Sequence, residues 1–326
     1  MSIEKLSIAK AITASLRTAL ETDPKVLVMG EDVGKLGGVF RVTDGLQKDF
    51  GEERVIDTPL AESGIVGTAI GLALRGYRPV VEIQFDGFVF PAYDQIVTQL
   101  AKMHARALGK IKLPVVIRIP YGGAIGAVEH HSESPEALFA HVAGLKVVSP
   151  SNAADAYWMM QQAIQSDDPV IYFEPKRRYH DRSEVDTDAI PGPLHAARTV
   201  RAGTDLTLAA YGPMVKTCLE AAAAAEEEGK SLEVLDLRSI SPVDFDGIQA
   251  SVERTRRLVV VHEAPVFFGS GAEIAARITE RCFYHLEAPV LRVGGYHAPY
   301  PPSRLEDEYL PGLDRVLDAV DRALAY

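Results

Sequence analysis

Val115-Val-Ile-Arg-Ile119, a helical pattern from Pro135 to Ala143, Lys146-Val-Val148, a second helical pattern from Ala153 to Ile164, and Val170-Ile-Tyr-Phe173 follow in succession. Short β-branched runs separated by longer segments of helical period mark parallel strands joined by crossover helices. Strands covered on both faces read as continuous apolar runs rather than as an alternation, and these do. Upstream, Val26 to Met29 and Val80 to Ile83 supply further strands. Ser7 to Leu20 opens on a capping residue and carries Ile8, Ile12, Leu16 and Leu20 at helical spacing. The expected fold class is α/β, a doubly wound and mostly parallel sheet.

Between Pro175 and about Arg201 the rhythm lapses into KRRYHDRSEVDTDAIPGPLHAAR, a charged stretch with Pro and Gly that suits a surface linker. Strands then recur near Leu206 to Ala210, Leu232 to Asp236, Leu258 to Val261 and Val290 to Val293, with the Ala-rich Val215 to Glu227 among the helices. The sequence thus predicts one domain over residues 1–175, a linker over 176–200 and a second, smaller α/β domain over 201–326.

At 326 residues, 47% hydrophobic and 24% charged, the chain can bury two cores. With 34 basic against 45 acidic side chains, the net charge of −11 gives no electrostatic reason to bind a nucleic-acid backbone. Cys218 and Cys282 lie in helical patterns and read as reduced packing residues. Met1-Ser-Ile-Glu-Lys5 leads into the first helix without an apolar signal core, and no run is long enough to span a membrane, so a cytoplasmic location is expected.

Three stretches carry candidate chemistry. Asp57-Thr-Pro-Leu-Ala-Glu62-Ser-Gly-Ile-Val-Gly-Thr-Ala-Ile-Gly71 places Glu62 at the head of a helix of small and apolar residues. Apolar surroundings favour the protonated carboxyl and a helix N-terminus favours the anion, so opposing effects can tune it; an ordinary helix-end charge reads the same way. Glu82-Ile-Gln84-Phe85-Asp86-Gly87-Phe88 leaves a strand at its C-terminal edge, where open α/β sheets bind ligands. An aromatic there can stack on a flat heterocycle or simply fill the core. Glu129-His130-His131-Ser132 follows a glycine-rich loop, Gly122-Gly123-Ala-Ile-Gly126, and suits proton transfer. Zinc is disfavoured, because adjacent side chains on an extended segment point apart and no third His or Cys stands at metal spacing. Gly269-Ser-Gly271 lacks the third glycine of a dinucleotide fingerprint and reads as a helix start.

Gly30-Glu-Asp-Val33, Gly37-Gly-Val-Phe-Arg41, Thr58-Pro-Leu-Ala-Glu62, Glu82-Ile-Gln-Phe85, Pro91-Ala-Tyr-Asp-Gln-Ile96 and His131-Ser-Glu-Ser134 together resemble the β subunits of thiamine-diphosphate-dependent 2-oxo acid dehydrogenases, most closely the branched-chain type. The resemblance covers nearly the whole chain and implies a pyrimidine-binding domain followed by a transketolase-like C-terminal domain. It implies a cofactor shared with an α subunit that supplies magnesium and the diphosphate site. In keeping with this, no Gly-Asp-Gly occurs here. By motif position, Glu62 would hydrogen-bond the aminopyrimidine ring nitrogen, Glu31 would extend its proton relay, Leu60 would offer a backbone carbonyl and Gln84 a polar side chain. Phe88 would face the ring where relatives often carry tyrosine. His131 would act when the acyl group passes to a lipoyl group, with His130 as its neighbour.

The resemblance further implies a structural potassium held near Leu113, Val115, Val116, Ala163 and Ser166, with Asp168 in place of an amide. The partners it implies are the α subunit in an α2β2 heterotetramer and a dihydrolipoyl acyltransferase core with its lipoyl domain. The substrates would be branched-chain 2-oxo acids, with pyruvate or acetoin dehydrogenation as alternatives. A self-sufficient transketolase or deoxyxylulose-phosphate synthase would need the missing diphosphate-binding domain, and a catalytically silent scaffold would have no use for Glu62, Gln84 and His131 together.

Overall fold

The computed structural model describes residues 3–326. They form two units. The first runs to Tyr121 and resumes over Leu138–Leu194; the second comprises Gly122–Ala137 and His195–Tyr326.

The first unit begins with β1 (Ile3–Ser7) and α1 (Ile8–Thr22). Ser7 caps α1 by accepting the backbone N–H of Lys10, as its residue type demands. The sequence pattern gives no sign of β1, whose five residues pair antiparallel with β8 (Arg182–Asp186) inside the stretch expected to be linker. Neither strand shows a buried apolar run, so only tertiary pairing reveals them.

Along the chain follow β2 (Val26–Gly30), α2 (Leu46–Phe50), β3 (Val55–Asp57), α3 (Glu62–Leu74), β4 (Arg78–Glu82), α4 (Ala101–Arg106), β5 (Val116–Tyr121), α5 (Glu136–Ala140), β6 (Lys146–Val148), α6 (Ala153–Gln165) and β7 (Val170–Pro175). Within this unit the sheet order is β6-β7-β5-β4-β2-β3, every pairing parallel, so the doubly wound architecture holds. Alternate strand residues face opposite sides. Val26, Val28, Val80, Val116, Val170 and Tyr172 join Ile8, Ile12, Leu16, Met159 and Met160 of α1 and α6 in one core cluster. Leu27, Met29, Val81, Ile117 and Ile171 are buried as well. Burial on both sides is why the strands read as unbroken apolar runs.

The second unit carries β9 (Arg198–Arg201), β10 (Leu206–Ala210), α7 (Met214–Glu227), β11 (Leu232–Asp236), β12 (Ser239–Ser241), α8 (Phe245–Thr255), β13 (Leu258–Pro265), α9 (Ser270–Cys282), β14 (Leu291–Gly295), α10 (Glu306–Tyr309) and α11 (Leu313–Leu324). A five-stranded sheet of order β14-β13-β10-β11-β9 is parallel except for β9 at its edge. Met214, Cys218 and Ala222 of α7 and Val316, Ala319 and Val320 of α11 bury against Leu206, Leu208, Val259 and Val261. Gly269 is the N-cap of α9, so the glycine pair there starts a helix. Both cysteines are free and buried. Among the described residues no helix is long and apolar enough to cross a membrane.

Candidate functional site

Three parallel strands, β2, β3 and β4, end side by side, with Gly30, Asp57 and Glu82 closing their registers. Loops leaving such C-terminal edges are where open α/β sheets assemble ligand sites. The loop after β2 folds back onto the other two strand ends. Asp57 accepts the backbone N–H groups of Gly34, at 2.6 Å, and Lys35, at 3.4 Å. Gly38 adopts φ +78°, and a Cβ there would lie 2.9 Å from Glu82 Oε1, so a side chain would collide with the strand end.

The loop after β3 delivers Leu60 and Glu62. Leu60 is 80% exposed, whereas Glu62, the first residue of α3, is buried to 8% exposure. Its neighbour across the strand ends, Glu31, feels it. Burial first, then the negative charges of Glu62 and Asp32, hold the Glu31 carboxyl above the usual carboxylate range. Two carboxylates are thus drawn to one place at a helix N-terminus, where the peptide dipoles favour negative charge. The hydroxyl of Thr58 in the same loop is buried and has no hydrogen-bond partner among the described residues, an opening for a polar group of a ligand.

Beyond β4, Gln84 is half-buried and donates from Nε2 to Asp32 Oδ2 at 3.2 Å. Phe88 meets Phe85 edge-on at 6.0 Å between centroids, and Phe85 meets Phe40 in the same manner at 5.3 Å. Phe85 therefore belongs to an aromatic cluster with Phe40, while Phe88 lies at its margin, half-buried.

Beneath these loops runs a buried charge network that sequence reasoning passed over. Arg118, on β5, donates from Nη1 to Glu82 Oε2 at 2.6 Å and grips Glu174 of β7 with Nε and Nη2. Tyr179 donates its hydroxyl to the same Glu174. Burial opposes the Arg118 charge, but Glu174 and Glu82 raise its pKa further still. Lys176 is bonded to Asp86, both fully buried, with its ammonium 5.3 Å from the Phe85 ring centroid. The available signal was an arginine inside an otherwise apolar parallel strand, which must find carboxylates or pay the full desolvation penalty.

Glu31, Leu60, Glu62, Gln84 and Phe88 all belong to the first unit. His131 belongs to the second. The two histidines do not lie on the extended backbone expected from the sequence. Glu129–His131 is a 3-10 turn, and the imidazole rings of His130 and His131 meet edge-to-face, with centroids 4.3 Å apart.

Two of the residues expected to hold potassium, Ser166 and Asp168, already face cations of the protein itself. The Ser166 carbonyl accepts Arg78 Nη1 at 3.1 Å, and Lys146 Nζ stands 3.2 Å from Ser166 Oγ and 3.0 Å from Asp168 Oδ2. The carbonyls of Leu113, Val115 and Ala163 accept the backbone N–H groups of Val115, Val170 and Ser166, and Val116 opens β5. Two cations at Ser166 and Asp168 disfavour a third at that end of the set.

Residues 4–181 match the transketolase pyrimidine-binding domain, and residues 195–316 match the transketolase C-terminal domain. Over 324 residues the chain is 63% identical to the pyruvate dehydrogenase E1 component subunit beta of Leifsonia xyli subsp. xyli, covering 99% of this chain and 96% of that protein. Over 322 residues it is 55% identical to the 3-methyl-2-oxobutanoate dehydrogenase subunit beta of Mycobacterium tuberculosis, covering 98% and 92%. A solved split gene transketolase, an inactive beta4 tetramer, shares the fold with a TM-score of 0.82 at 24% identity, covering 98% of each chain. Both domains are matched in order and the whole length is shared with such subunits, so the chain belongs to the transketolase-like, thiamine-diphosphate-dependent β subunits of 2-oxo acid dehydrogenases.

Proposed function

We propose that this β subunit, assembled with an α subunit, oxidatively decarboxylates branched-chain 2-oxo acids and passes the acyl group to the lipoyl group of an acyltransferase core. The observation that carries the catalytic part is the buried Glu62 at the N-terminus of α3, close enough for its charge to raise the Glu31 pKa. Bound thiamine diphosphate supplies the carbanion chemistry of decarboxylation. Glu62 holds the pyrimidine ring nitrogen and controls its proton, and Glu31, with its affinity for protons already raised, extends that relay. The Leu60 carbonyl and the Gln84 amide orient the ring edge, Phe88 covers its face, and the partnerless Thr58 hydroxyl suits a further polar contact. Magnesium and the diphosphate fall to the α subunit, and His131 serves acyl transfer to the lipoyl group.

Kinship supports the branched-chain preference: Ser134-Pro-Glu-Ala137, Phe139-Ala-His141 and Phe173-Glu-Pro-Lys176 resemble that class, as does the Mycobacterium tuberculosis relative. Glu174 and Lys176 are tied to Arg118 and Asp86, so they mark descent rather than contact with substrate. The higher identity to the Leifsonia xyli protein favours a second reading, pyruvate. The test is kcat/KM of the reconstituted complex for 3-methyl-2-oxobutanoate, 4-methyl-2-oxopentanoate and pyruvate. A methylene is worth about 1–3 kcal/mol, so the expected preference for branched acids is about tenfold or more. Preference for pyruvate would replace the branched-chain reading with the second one. The chain without its α subunit should decarboxylate none of the three.

A further inference from the structure

The segment Gly122–Ala137, which carries His130 and His131, is fastened to the rest of the second unit through carboxylates at several points. Glu306, at the start of α10 and buried, accepts the backbone N–H of Ala124 on Oε1 at 2.9 Å and that of Gly126 on Oε2 at 3.1 Å. Tyr300 donates its hydroxyl to Glu306 Oε1 at 2.6 Å and accepts the Ala124 N–H at 3.3 Å. Glu263, buried at the end of β13, accepts on the same Oε1 from the Gly123 N–H at 2.6 Å and from the Ser134 hydroxyl at 3.4 Å. One carboxylate oxygen thereby ties together two points on opposite sides of the histidine turn. Farther along, Glu136 accepts the Tyr211 hydroxyl at 2.7 Å.

The backbone of the segment is made for this attachment. Gly122, Ala124 and Gly126 all adopt left-handed φ, at +85°, +62° and +71°. A Cβ at Gly123 would overlap the Tyr300 hydroxyl, and one at Gly122 would lie 2.7 Å from Glu263 Oε1. A non-glycine residue held at positive φ costs energy that surrounding contacts must supply, and the Glu306 hydrogen bond to Ala124 does so. Charge-assisted bonds that a carboxylate accepts from backbone N–H groups are directional, so they fix the course of the chain as well as its attachment.

We propose that Glu306 and Glu263 are positioning residues for acyl transfer, holding the Gly122–Ala137 segment in the course that presents His131 to the incoming lipoyl group. The proposal rests on the acyl-transfer reading of His131. Neither glutamate touches the reacting atoms; both act through the backbone that carries the histidine.

The experiment uses the reconstituted complex and three substitutions. Glu306→Gln keeps the shape but turns an amide NH2 toward one backbone donor. Tyr300→Phe removes only the hydroxyl that supports Glu306, and Glu263→Gln disturbs the bridge between the two arms. Three quantities are measured: kcat/KM for acylation of an isolated lipoyl domain, decarboxylation with an artificial electron acceptor, and the rate of protease cleavage between residues 122 and 137. Glu306→Gln should lower lipoyl acylation by roughly 10–100-fold, the scale of a misplaced catalytic group, with Tyr300→Phe in the same direction and smaller. Artificial-acceptor turnover should remain near normal, and cleavage within the segment should accelerate. Equal losses in both assays, or unchanged acylation with unchanged cleavage, would overturn the positioning role. His131→Ala is the control: if it leaves lipoyl acylation intact the acyl-transfer reading falls, whereas an unchanged cleavage rate in Glu306→Gln would remove the restraint itself.

Discussion

Arg118 and Glu174 are joined by a two-pronged bond, Nε to Oε1 at 2.6 Å and Nη2 to Oε2 at 3.0 Å, between two neighbouring strands where neither side chain meets solvent. Removing one member of such a pair leaves a buried charge without its partner. Arg118→Met should therefore cost about 3–5 kcal/mol of stability. It should appear as a lower denaturant midpoint for the assembled enzyme. A midpoint within error of the wild type would mean that Glu82 and Glu174 find other partners.

Glu62→Gln should lower turnover of the reconstituted enzyme by about 10²–10⁴-fold, the usual contribution of a positioned proton-transfer group. The melting temperature should barely move, since the amide keeps the shape and the helix keeps its length. Near-normal turnover would reduce Glu62 to a charge that stabilises the start of α3.

His262 gives the second unit a pH dependence of known sign. Its imidazole is fully buried, Nδ1 lies 2.9 Å from the Ala264 carbonyl oxygen, and Gly269, Gly271 and Gly294 close around the ring. Burial lowers its pKa to about 4 from an ordinary 6.5. The unfolded chain therefore takes up a proton that the folded chain refuses as pH falls from about 6.5 to about 4. Stability is complete above that window and declines within it, by about 3 kcal/mol at its lower end. Denaturation of wild type and His262→Gln at pH 7.5 and pH 5 checks this; identical slopes with pH would refute it.

Lys146 and Arg78 stand against oxygens of Asp168 and Ser166, two of the residues expected to bind potassium, so exchanging potassium for choline at constant ionic strength should leave the melting temperature unchanged. In Lys146→Ala the ammonium is gone, and potassium should then stabilise by mass action. A potassium-dependent rise in the wild type would show that the lysine yields its place.

What the sequence disclosed depended on how local each signal is. Strands such as Val170–Pro175, apolar on both faces, and helices such as Ile8–Thr22, with Ser7 as cap, announce themselves in a few residues. β3, only three residues long, and β1 with its partner β8 carry no apolar run and exist through pairing. In the site, Glu62 was legible because its motif is contiguous. The support for Gln84 was not, because Asp32 stands far away along the chain, and the same holds for Glu306 beneath Ala124 and Gly126. Hydrogen bonds that carboxylates accept from backbone N–H groups leave no trace in the composition of the segment that donates them. Thr58 stands in the same contiguous motif as Glu62, yet only burial without a partner among the described residues singles it out.

The pairing of Ile3–Ser7 with Arg182–Asp186 also sets a timetable for biosynthesis. β1 leaves the ribosome well before β8 and can find its partner only after residue 186 has emerged. At about 5–20 residues per second, that is a wait of roughly 10–35 s. During this interval an unpaired strand edge stands open, the kind of surface that recruits wrong neighbours. Alternating charge, with Glu4 and Lys5 within the strand, suits it to waiting in water.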